Sequence, residues 1–155
     1  MDAKATLAGL VFRPEDFFLG RTEGSGLVRD PFGRVSRRCE IVTVGEPSPG
    51  YGVIKLEETF AYDDGEVDVW RWAITAAGDG RYVAAEAKAG SGITGHRAGD
   101  DYLLSFNRPV AGSPLAPHFT TRFTLLDRDV ALKTVRVALF GVPVGSMSAI
   151  HRRIR

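Results

Sequence analysis

From Gly24 to the C-terminus, apolar and polar residues change places at every second position, in short runs broken by Gly, Pro and Asp. A period of two belongs to strands with one face against a core and the other in water. The runs predict about ten strands, over 26–30, 35–44, 51–62, 66–75, 81–89, 91–97, 101–109, 118–126, 130–140 and 144–154. Ahead of them, Pro14-Glu15-Asp16-Phe17-Phe18-Leu19-Gly20 reads as one short helix, with Pro and two acids in the first turn and Gly at the stop. Phe17 and Phe18 would then cover one end of whatever the strands build. Residues 1–12 carry no strong period and are expected to be a frayed or helical extension. Short, evenly spaced antiparallel strands make a barrel or a sandwich. The single early helix and the near absence of long loops favour an all-β, up-and-down antiparallel barrel, one domain over residues 1–155.

The segment from Leu56 to Ile74, LEETFAYDDGEVDVWRWAI, carries the most information. Leu56, Glu58, Phe60 and Tyr62 share a face, and Asp63-Asp64-Gly65 supplies turn chemistry. With a three-residue turn Tyr62 pairs with Glu66 and Glu58 stands opposite Trp70, so Trp70, Trp72 and Ile74 continue the same face. One carboxylate then lies among large apolar groups, where an unpaired charge costs several kcal/mol. It must find a cation or donors, or hold a proton. Arg122, alternating with Thr120 and Thr124 on a late strand, is the expected cation, with Arg136 and Arg71 as weaker candidates. Tyr102 and Phe106 on one face of 101–109, together with Phe123, complete the expected inward aromatic set.

Composition mainly removes function classes. Lys+Arg 20 against Asp+Glu 19 leaves +1, which gives no sign of a nucleic-acid partner or an anionic membrane. Cys39 is the only cysteine, so no internal disulfide, cysteine zinc site or redox pair can form. His96, His118 and His151 lie on separate segments without metal-ligand spacing. Gly90-Ser91-Gly92-Ile93-Thr94-Gly95 spells a dinucleotide fingerprint but opens no helix, so its glycines are read as relieving a bent strand. No metal or cofactor is expected. Residues 5–12 resemble a short signal core, yet no small-residue cleavage site follows. The longest uncharged run, 137–150, is broken by Gly141, Pro143 and Gly145 and falls short of the roughly 18 residues of a membrane span. The expectation is a cytoplasmic protein without a transmembrane segment, monomeric or homodimeric.

The order L-x-E-x-F-x-Y-D-D-G from Leu56, then Trp72 to Ile74, then Gly78-Asp79-Gly80-Arg81-Tyr82, then Phe140-Gly141-Val142-Pro143-Val144-Gly145, resembles a bacterial family known only as a domain of unknown function, the one numbered 3833. The resemblance runs from about Asp16 to the C-terminus. It implies a lipocalin-like (calycin) barrel and brings no reaction, substrate or cofactor with it. Relatives often carry a lipoprotein leader, which this chain is expected to lack, and an Arg where this chain has Trp70.

The expected function is the binding of a small hydrophobic or amphipathic molecule inside the barrel. Its walls would be Phe60, Tyr62, Trp70, Trp72, Tyr102 and Phe106, and its polar anchor Glu58 with Arg122. One alternative is an isomerase or cyclase of an apolar substrate with Glu58 as acid/base. A second is an interaction module with a filled barrel, whose outer face would carry the row Val135, Val137 and Leu139.

Overall fold

The computed structural model describes residues 9–50, 52–110 and 113–155. A single turn of helix, α1 (Pro14–Phe17), precedes β1 (Gly20–Arg29), β2 (Val35–Pro47), β3 (Val53–Tyr62), β4 (Val67–Gly78), β5 (Arg81–Glu86), β6 (Gly90–Ala98), β7 (Asp101–Asn107), β8 (His118–Asp127), β9 (Val130–Leu139) and β10 (Val142–Ile154). Each strand pairs antiparallel with the next, and β1 pairs with β10, so the sheet closes into a barrel without a free edge. Residues 1–8 of the extension, Tyr51 at the head of the third expected strand, and Gly112 in the loop after β7 lie outside the described residues.

Several boundaries differ from the pattern-based reading, and two of the differences have a direct physical cause. β1 begins at Gly20, ahead of the expected 26, because Gly20, Gly24 and Gly26 interrupt the alternation there. A Cβ at Gly24 would overlap the carbonyl of Ile150, so glycine is what lets β1 lie close against β10. β5 ends at Glu86, short of 89, because the Glu86 carboxylate accepts the backbone N–H of Lys88 and Ala89 and turns the chain.

In a meander, successive turns alternate between the two ends of the barrel. The end that carries the β2–β3, β4–β5, β6–β7 and β8–β9 turns is plugged. Phe12 packs on Phe17 at 5.1 Å between ring centroids and stacks on Phe123 at 4.9 Å. Its backbone N–H donates to the carbonyl of Asp100 in the β6–β7 turn. Phe18 packs edge-on against Phe123, and a Cβ at Gly45 would collide with the Phe18 carbonyl. Phe17 and Phe18 thus cover one end as expected, with Phe12 as the third ring. The Pro47 to Gly50 loop belongs to this closed end.

Candidate functional site

The interior is not filled. A cavity of about 450 Å³ runs from Phe18 and Ile74 at the plug to residues flanking the β1–β2, β3–β4, β5–β6, β7–β8 and β9–β10 turns. Alternation along each strand gives it a largely aromatic wall. Trp72 meets Phe106 edge-on at 5.1 Å, Phe106 stacks on Phe119 at 5.4 Å, and Trp70 packs on both phenyl rings. Tilted and stacked rings of this kind form a rigid apolar surface.

One ion pair is set into that wall. Glu58 is 4% exposed; its Oε1 accepts the Trp72 Nε1–H at 2.9 Å, and its Oε2 lies 3.4 Å from Lys133 Nζ. The ammonium sits 5.2 Å from the centre of the Phe60 ring and 5.5 Å from that of Phe123, within cation–π range. An ammonium carries three N–H groups. Glu58 is the one hydrogen-bond acceptor of Lys133 among the described residues, so the others are available to a molecule in the cavity, which both residues line. Such a pair offers an anion and a cation at one point of an otherwise apolar tube, a means of orienting a guest.

A second polar cluster braces the wall nearer the mouth. Arg108 Nε donates to Glu86 at 2.7 Å, and its guanidinium lies 3.7 Å over the Trp70 ring. Trp70 Nε1–H donates to Asp68 at 2.9 Å. Burial works to raise the Glu86 pKa, but Arg108 and the backbone N–H groups of Lys88 and Arg71 outweigh it and hold the carboxyl below its ordinary value. On the adjacent wall Arg37 lies 3.5 Å over the Tyr62 ring and bridges Asp64 and Glu66.

The β3–β4 register is the expected one. Glu58 faces Trp70, and Tyr62 N–H donates to the Glu66 carbonyl. Glu58 and the six expected aromatic residues line the cavity. Arg122 does not. It is half exposed on the outer surface, paired with Asp101. Phe123 and Arg122 are successive residues of one strand and cannot both face inward, and Phe123 holds the inner position. Arg71 pairs with Glu57 outside, and Arg136 is exposed. Lys133 is the cation that the sequence reading missed. Its strand mixes charge and apolar residues on both faces: Lys133 alternates with Ala131 and Val135, while Leu132, Thr134 and Arg136 occupy the other face. Val135 and Val137 accordingly line the cavity and form no outer row. Arg108 and Glu86 carried a usable signal, since each continues an inward series, Tyr102-Leu104-Phe106 and Tyr82-Ala84.

Two of the other buried polar groups lie outside the Glu58–Lys133 pair. Tyr102 Oη has no hydrogen-bond partner among the described residues and lies where a Cβ at Gly95 would be, and burial pushes its hydroxyl pKa up. His151, fully buried beside Phe18 and Phe123, has neither ring nitrogen bonded among the described residues. Burial, reinforced by the Lys133 ammonium, lowers its pKa to about 3.

A closed, ten-stranded antiparallel meander with one plugged end and an aromatic interior defines a lipocalin-like barrel. The chain belongs to the family described as "Protein of unknown function (DUF3833)", whose model matches residues 4–153. Among solved structures, a protein of unknown function from the DUF3598 family of Nostoc punctiforme superposes with a TM-score of 0.66 at 14% identity. That match covers 94% of this chain and 50% of the other, so the chain spans about half the length of the Nostoc protein. An S-type phycobiliprotein lyase from Guillardia theta gives a TM-score of 0.66 at 9% identity, covering 93% of this chain and 94% of the lyase. At these identities the likeness is one of fold. No curated protein matches the sequence. Among the described residues no helix is long and apolar enough to cross a membrane.

Proposed function

We propose that the barrel holds one small amphipathic molecule, its apolar body against Trp70, Trp72 and Phe106 and an acceptor oxygen, carbonyl or carboxylate, on the spare N–H groups of Lys133. The observation that carries this reading is the open aromatic cavity with a buried ammonium in its wall. A volume of about 450 Å³ falls within the range of small-molecule sites. That a barrel of this shape is a phycobiliprotein lyase adds support for a small-molecule partner. An anchoring role for Glu58 is favoured over acid/base catalysis because both its oxygens already face donors.

Titration with fluorescent fatty-acid and retinoid probes tests the proposal. Saturable quenching of tryptophan emission is expected, since both tryptophans of the chain line the cavity. Lys133→Met should weaken a carboxylate probe about tenfold, the loss of one hydrogen bond to a charged group, and weaken the corresponding hydrocarbon little. Failure of every probe to bind the folded protein would overturn the reading.

A further inference from the structure

The open end of the barrel carries apolar groups that a water-soluble rim does not require. Phe140 is 87% and Phe32 86% exposed, and with Val142 and Val67 they are the most exposed large hydrophobic residues among those described. All four sit on turns of the open end. Phe32 lies on the β1–β2 turn and Phe140 and Val142 on the β9–β10 turn, which are neighbours because β1 pairs with β10.

Phe140 is costly in its backbone as well. It adopts φ 52° and Gly141 φ 77°, the left-handed pair of a two-residue turn in which asparagine is the favoured first residue. An aromatic ring held there, in water, has no packing role in the barrel.

Charge is distributed to match. The β9–β10 turn from Leu139 to Val144 has none, while Arg29 and Arg34 flank Phe32, and Arg136 lies on the outer shoulder of β9. Neither Arg34 nor Arg136 has an ion-pair partner among the described residues. The Asp30 carboxylate, in the same turn as Phe32 and Arg34, accepts the backbone N–H groups of both. The acids Asp64, Glu66 and Asp68 belong to the β3–β4 side of the mouth, where Arg37 and Arg108 pair with them. Net charge over the chain is close to zero, so only this placement reveals a basic, apolar side.

From these observations we infer that the β1–β2 and β9–β10 hairpin tips dock on a lipid bilayer with anionic headgroups, Phe32, Phe140 and Val142 entering the interface and Arg29, Arg34 and Arg136 meeting the headgroups. Two tips present too few residues for a stable protein interface, which takes about 20–30 residues a side, whereas an interfacial anchor needs only a few inserted apolar groups beside cations. The docked tips border the cavity mouth, since Val144, Gly145 and Ser146 line it. The inference does not depend on what the cavity holds.

Sedimentation with phosphatidylcholine vesicles, with and without phosphatidylglycerol, tests it. The wild-type protein is expected to pellet with the anionic vesicles and to be released in part by high salt. Phe32→Ser with Phe140→Ser should lower the partition coefficient roughly 10- to 100-fold, two rings' worth of interfacial burial. Phe140→Asn is a second variant that suits the turn: it should weaken vesicle binding while keeping or raising thermal stability. Absence of sedimentation with any vesicle, or undiminished sedimentation of the double variant, would overturn the inference. So would a dimer, seen in sedimentation velocity, that the double variant abolishes without any vesicle binding. Because probe binding in the cavity is read separately, its failure and that of membrane docking are distinguishable.

Discussion

Glu58 stands directly opposite Trp70 in the β3–β4 register, yet the indole that donates to it belongs to Trp72, one pleat further along the strand. The diagonal contact leaves Trp70 to stack under Arg108 and frees the other carboxylate oxygen for Lys133, which arrives from β9 on another part of the wall. Three strands are thereby tied at one buried point.

Breaking that point from one side should be more damaging than removing it. Glu58→Gln leaves the Lys133 ammonium buried without a counter-charge, a loss of about 3–5 kcal/mol. Lys133→Met added to Glu58→Gln should recover much of that loss, because no buried charge then remains. A double-mutant cycle from urea denaturation measures the coupling. Additive single losses would show that the two side chains do not act as a pair.

Trp72→Phe keeps the ring packing on Phe106 but withdraws the only donor of Glu58 Oε1 among the described residues. A buried acceptor left unsatisfied costs about 1–3 kcal/mol. Trp70→Phe gives the comparison, because its N–H serves Asp68 nearer the mouth. Thermal denaturation should rank Trp72→Phe as the less stable with respect to its hydrogen bond to the core.

His151 makes stability depend on acid in a defined window. Its pKa is lowered from 6.5 to about 3 in the folded protein, first by burial and then by Lys133. The unfolded chain therefore binds the proton more readily. Stability conferred by the neutral ring is fully present above about pH 6.5 and declines by up to about 1.4 kcal/mol for each pH unit below it, until the folded pKa is reached. Carboxylates common to both proteins contribute the same slope to each, so comparison of wild type with His151→Gln by chemical denaturation isolates the histidine. Equal slopes would refute the assignment.

The plug should respond to its smallest residue. Phe12→Ala removes a fully buried ring at a cost of about 3–5 kcal/mol. Gly45→Ala sets a methyl group against the Phe18 carbonyl and must push the α1 segment outward. Hydrogen exchange at the Phe12 amide, bonded to Asp100, is the local readout, and it should speed up in Gly45→Ala more than exchange in β9 does.

Much of the fold was legible because its strands obey a strict alternation and its turns carry Gly, Asp and Pro. The hairpin from Val53 to Gly78 was legible down to register, since Asp63-Asp64-Gly65 specifies both turn length and pairing. β1 was only half legible, because the glycines that allow it to lie close to β10 erase the pattern that marks a strand. The buried ion pair divided in the same way. Glu58 announced itself as one acid in an apolar series, whereas Lys133 sits in a strand whose two faces look alike in composition, and only closure of the barrel shows which face is inside. Arg122 illustrates the converse: adjacency to Phe123 already forbade the inward placement that its charge invited.

A vessel stoppered by Phe12, Phe17 and Phe18 has its door at the other end, so a cargo held as proposed would enter and leave by one way. Under that proposal occupants would be swapped one for one, and a guest longer than the bore would leave its tail outside. Release rates should accordingly follow changes at the lip while hardly registering changes at the stopper.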